Sequence, residues 1–137
     1  MRLAAVTLLL VTLMTPGSVL SAPSATDLAG AWSMKETVKT NTCDESNPVG
    51  TVWAINLFLQ VKPDGEAEAN VFGNTSWTEY KGATTTETLV LDGESSGNRS
   101  NYNLKLGPDG LLTGTRTVSF KSACTLIAEV SAKRLTP

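Results

Sequence analysis

Two charges stand where strand periodicity would turn them inward. In Gly30 to Lys39, Trp32, Met34 and Val38 alternate with Ser33, Lys35 and Thr37, and the apolar phase includes Glu36. In Leu111 to Phe120 the shared phase is Leu112, Gly114, Arg116, Val118 and Phe120. A buried carboxylate or guanidinium is costly unless it is paired and hydrogen-bonded. Glu36 and Arg116 are therefore expected either to bond each other as a structural ion pair or to anchor a polar group of a ligand. A register slip would instead expose Arg116. In the anchor reading Trp53, Leu57, Tyr102 and Phe120 are pocket walls; otherwise they are core. The small inward residues Ala67, Ala69, Gly114, Ala128 and Ala132 carry the same ambiguity. They leave a cavity, or they fit bulky partners into a tapered interior.

Other chemistry is narrowed by what the chain lacks. It has no histidine, which removes the commonest general base, the usual triads and the commonest transition-metal ligand. With Cys43 and Cys124 paired, thiolate nucleophiles and cysteine-rich zinc sites go as well. No glycine loop stands between a strand and a helix to cradle phosphate. No catalytic residue, metal site or cofactor is assigned, and carboxylates and tyrosines are the reactive groups that remain.

The elements that must position these residues follow an export signal. Met1-Arg2 supplies positive charge, Leu3 to Met14 an apolar run, and Thr15-Pro16-Gly17 a break before small residues near Ser21, Ala22 and Ala25. Residues 1–22 are read as this leader and 23–137 as one domain. The apolar run is too short to span a bilayer, so no membrane insertion is expected. Without Arg2 the formal charge moves from −2 to −3, with 10 basic groups (11 less Arg2) against 13 acidic ones. That balance offers no basic face for nucleic acid. Two cysteines in an exported chain are expected to form a disulfide, secreted into the periplasm or beyond the cell.

Beyond the leader, period-two segments dominate. Strands are expected at residues 30–39, 51–62, 66–72, 76–83, 86–92, 101–106, 111–120 and 124–135. Pro63-Asp64-Gly65 and Gly107-Pro108-Asp109-Gly110 are turns, and Gly93 to Ser100 reads as a polar surface loop. Trp77 and Tyr80 fall on opposite faces of the fourth strand, so one of them should point outward as a surface contact. Asn74-Thr75-Ser76 and Asn98-Arg99-Ser100 match the N-glycosylation pattern.

Eight strands with short connections close an antiparallel up-and-down β-barrel; a two-sheet sandwich is the competing arrangement. The spacing of four residues favours closure. Trp32 and Cys43 are eleven apart, and Cys124 and Arg134 are ten apart. Were the last strand antiparallel to the first, one pairing would join Cys43 to Cys124 at one end and bring Trp32 to Arg134 at the other.

Asp27-Leu28-Ala29-Gly30-Ala31-Trp32 resembles the entry of the calycin superfamily, the lipocalins and related small barrels. The resemblance implies that Trp32 plugs one barrel end and that Arg134, or Lys133, packs over it. The short chain after the eighth strand is more similar to short bacterial lipocalin-like domains and to compact periplasmic barrels that inhibit peptidases. The function expected is a non-enzymatic binding protein for a small, partly apolar ligand. Its competitors are an inhibitor or protein-interaction module, and a barrel cyclase or isomerase using Glu36.

Overall fold

The computed structural model describes residues 25–43, 46–73, 75 and 77–135. Eight antiparallel strands form a closed barrel in which each pairs with its chain neighbours and β1 pairs with β8. They are β1 (Gly30–Asn41), β2 (Val52–Val61), β3 (Glu66–Gly73), β4 (Glu79–Thr84), β5 (Thr88–Ser95), β6 (Asn98–Leu106), β7 (Leu112–Ser119) and β8 (Thr125–Arg134). The proposed leader lies outside the described residues, as does Asn74 of the first glycosylation match. Asn98 of the second opens β6.

The expected pairing of the first and last strands holds. Trp32 opposes Arg134, and the register continues without interruption to Val38 opposite Ala128. There it shifts, so that Thr40 meets Ile127 and Asn41 meets Leu126. This bulge at Lys39 absorbs the one-residue difference between the two spacings. Cys43 therefore arrives at Cys124, with Cα atoms 4.8 Å apart, and the disulfide forms.

At the opposite end a short 3-10 turn, Ala25–Leu28, crosses the barrel mouth and buries Leu28. Trp32 is buried beneath it and donates its indole N–H to Leu28 O at 3.0 Å. Arg134 stacks over the Trp32 ring with its guanidinium carbon 4.5 Å from the ring centroid. Its two terminal nitrogens donate to the carbonyls of Ala29 and Asp27, tying the turn to the end of β8. Arg134→Ala should lower stability by about 1–2 kcal/mol, from the lost ring contact and charged hydrogen bonds. Urea unfolding would measure this, and Arg134→Lys should recover only part of it, because one ammonium cannot reach both carbonyls in a planar fork.

Above this plug, Met34, Leu57, Leu59, Leu89, Leu91, Leu104, Leu112 and Val130 fill the closed half of the barrel. Ala67, Ala69 and Ala132 are buried among them, so at this end small residues serve packing rather than a cavity. Two hairpins share one device. In each, a Pro-Asp-Gly sequence turns the chain, glycine N–H donates to the carbonyl three residues back, and the aspartate accepts the N–H two residues on.

Two expectations are corrected. Gly93 to Ser100 is not a loop: β5 and β6 run on to a two-residue turn at Ser96-Gly97. Both turn residues have positive φ, 53° and 77°, the arrangement whose twist suits a tight hairpin. Nor does either aromatic of the fourth strand point outward. β4 begins only at Glu79, so Trp77 precedes the regular pleat and its phase is free of it; both Trp77 and Tyr80 are buried. The exposed aromatics are Phe58 and Phe72, on the outer faces of β2 and β3.

Candidate functional site

Glu36 and Arg116 meet across β8. Glu36 opposes Val130 and Arg116 opposes Ala128, so the two charges are diagonal neighbours with a methyl side chain beside the guanidinium. Arg116 Nη1 lies 2.9 Å from Glu36 Oε2. The side chains are 5% and 0% exposed, so both charges are taken from water and must be satisfied within the barrel.

Three more side chains do this. Tyr102, opposite Arg116 on β6, donates its hydroxyl to Glu36 Oε1. Arg116 Nε donates to Ser100 Oγ at 2.8 Å, and Nη2 to the Tyr80 hydroxyl at 3.3 Å. Tyr80 in turn donates to Ser100 at 3.0 Å. The two tyrosine rings meet edge to face, 5.1 Å apart, and the guanidinium also lies 5.4 Å from the Tyr102 ring. Among the described residues no buried side-chain polar atom lacks a hydrogen-bond partner. Gly93 makes room for this cluster, since a Cβ there would come 2.8 Å from the Tyr80 ring.

Burial raises both phenols above their ordinary range, and the charge of Glu36 adds to the effect. Burial alone would lower the pKa of Arg116, but the oxygens of Tyr102, Glu36 and Tyr80 outweigh it and the pKa is raised. Tyr80 and Tyr102 are the chain's only tyrosines. They keep their protons in the barrel where an unfolded chain would lose them, above about pH 10. The stability these two phenols contribute is therefore full below about pH 10 and falls as pH rises beyond it. An alkaline titration should show no phenolate absorbance until the barrel unfolds, and then both phenolates together.

Above the ion pair, toward the disulfide end, the interior opens into a pocket of about 310 Å³. Arg116 and Glu36 form its floor. Trp53 and Ile55 of β2, Val118 of β7, Leu126 of β8 and Phe120 make an apolar wall. Asn47, Thr75 and Trp77 come from the loops at the rim, and Trp77 also lies 5.9 Å from the guanidinium. Asn41 holds the Asn47 loop in place, donating from Nδ2 to Asn47 O at 2.9 Å. A second hollow of about 220 Å³ beside the disulfide shares Asn47, Phe120 and Leu126 with the first.

Of the six expected site residues, Glu36, Arg116, Trp53 and Phe120 border the pocket. Leu57 lies deeper, in the filled half, and Tyr102 stands behind Glu36 as its hydrogen-bond donor. Ile55, Val118 and Leu126 are readable from the same alternation that places their neighbours inward. Asn47, Thr75 and Trp77 lie outside regular strands, where alternation gives no orientation.

Comparison with known proteins bears on the architecture alone. No protein-family model matches the sequence, and no curated protein matches it. Among solved structures, a redesigned β-barrel is similar to this chain with a TM-score of 0.56 at 14% identity. The match covers 83% of this chain and 96% of the other. At that identity the likeness extends to the barrel fold.

Proposed function

We propose that this protein is an exported, non-enzymatic barrel that binds a small, partly apolar molecule at its disulfide end. The observation that carries the reading is the pocket of about 310 Å³, walled by Trp53, Ile55, Val118 and Phe120 above one buried ion pair. Its size falls at the lower end of small-molecule sites, about 300–1,000 Å³, and apolar walls with few polar groups are their usual lining. The plugged end, with Gly30-Ala31-Trp32 under Arg134, supports placing the chain with the calycin-like barrels. The disulfide supports a non-reducing compartment. The exposed ion pair Lys39–Glu129 joins β1 to β8 on the outer wall, as suits a barrel in water rather than lipid.

A cyclase or isomerase reading would require Glu36 to reach a substrate. Its two oxygens already accept from Tyr102 and Arg116, and its side chain has no exposed surface. Binding is the better use of this geometry. Native mass spectrometry of protein recovered from its producing cells tests the reading. The expected result is a chain lacking its leader with one small molecule retained; an uncleaved chain would contradict export. Filling the pocket with Val118→Trp should abolish retention, and retention unchanged by that substitution would place the ligand elsewhere.

A further inference from the structure

The floor of the pocket also bears on which head group an occupant carries, an inference that rests on the binding reading above. The side chains lining the pocket include two charges, Glu36 and Arg116, and these neutralise each other at 2.9 Å. An occupant does not meet them equally. The carboxylate has no exposed surface and its oxygens are engaged, whereas the guanidinium keeps a small exposed surface. Of the five N–H groups of Arg116, three are directed to Ser100, Glu36 and Tyr80. The other two, one on each terminal nitrogen, are not used in these three bonds. The rim adds two neutral hydrogen-bonding side chains, Asn47 and Thr75.

We infer that the pocket selects a neutral molecule with a carbonyl-type oxygen directed at Arg116 and an aromatic or compact apolar body between Trp53, Phe120 and Val118. A carboxylate would gain the same two donors but would bring a second negative charge beside Glu36 in a desolvated site. A hydrocarbon would fill the walls but leave the guanidinium's spare donors without partners. Neutral acceptors avoid both costs.

The chain's three tryptophans allow a direct test. Trp53 and Trp77 line the pocket and Trp32 is buried at the far end, so indole N–H signals in NMR report the site with an internal control. The probes are acetophenone, ethylbenzene and benzoate, which share one ring and differ in head group. Acetophenone is expected to shift Trp53 and Trp77 but not Trp32, and to bind about tenfold tighter than either of the others, as one charge-assisted hydrogen bond allows. In Glu36→Gln the guanidinium is no longer neutralised, and benzoate should become the tightest of the three. Ethylbenzene equal to acetophenone, or benzoate tightest in the wild-type protein, would overturn the head-group inference while leaving the pocket intact. If none of the probes moves Trp53 or Trp77, the binding reading itself fails. The wild-type comparison decides the head group even if Glu36→Gln does not fold.

Discussion

Arg116→Leu is expected to destabilise the barrel by about 3–5 kcal/mol, more than loss of the Arg134 plug contact. The loss does not measure the strength of one ion pair. Removing the guanidinium leaves Glu36 charged with no exposed surface, and takes a donor each from Ser100 and Tyr80. Removing both charges is a different perturbation. The double variant Glu36→Leu/Arg116→Leu should be more stable than Arg116→Leu, because no unpaired charge remains and leucines suit the apolar surroundings. Some deficit should persist, since the Tyr102 hydroxyl loses its acceptor. Urea unfolding of the two variants and of Glu36→Leu provides the cycle. A single variant within about 1 kcal/mol of wild type would mean that the pair is solvated rather than buried.

The second large effect concerns the Cys43–Cys124 bond. Its sequence separation is 81, and opening a loop of that size should cost roughly 4 kcal/mol in the chain-entropy account. Cys43→Ser/Cys124→Ser should therefore unfold at markedly lower urea concentration, and adding reductant to the wild type should reproduce the shift. The same change should weaken binding, because the disulfide borders the hollow that continues from the pocket. By contrast, the Trp32–Arg134 plug lies at the other end and should keep its indole signal. An unchanged unfolding midpoint in the double variant would show that the bulged end of β1 is held by its backbone alone. Thr42 N–H to Thr125 O, at 3.0 Å, and the pairing of Thr40 and Asn41 with Ile127 and Leu126 would then have to hold it.

The part of the barrel legible in the sequence is the part where inside and outside differ in polarity. In β1 and β7 the inward, mostly apolar residues alternate with polar ones, so strand, face and the two buried charges all follow from one period. The Cys43–Cys124 and Trp32–Arg134 spacings then place the first strand beside the last. The departures cluster around the polar interior. Along β5 and β6 near their shared turn, the inward positions are Gly93 and Ser100, because one accommodates the Tyr80 ring and the other accepts from Arg116. A strand whose inward residues serve a polar cluster shows no apolar alternation, and so Gly93 to Ser100 carries the composition of a loop. The bulge at Lys39 leaves only the one-residue discrepancy between two spacings as its trace. Trp77 and the rim residues Asn47 and Thr75 lie outside the strands, and their inward placement depends on tertiary packing that no local period encodes.

The polar cluster and the pocket are two consequences of one arrangement. Bulky side chains fill the closed half, the Glu36–Arg116 pair forms a floor across the middle, and the disulfide end retains space above it. A crystal structure of the protein grown with acetophenone tests this most directly. One molecule is expected above the ion pair, its ring between Trp53 and Phe120 and its oxygen within hydrogen-bond distance of Arg116. Density for acetophenone on the outer wall only, or a rim collapsed onto Arg116 with no space left above it, would contradict that arrangement.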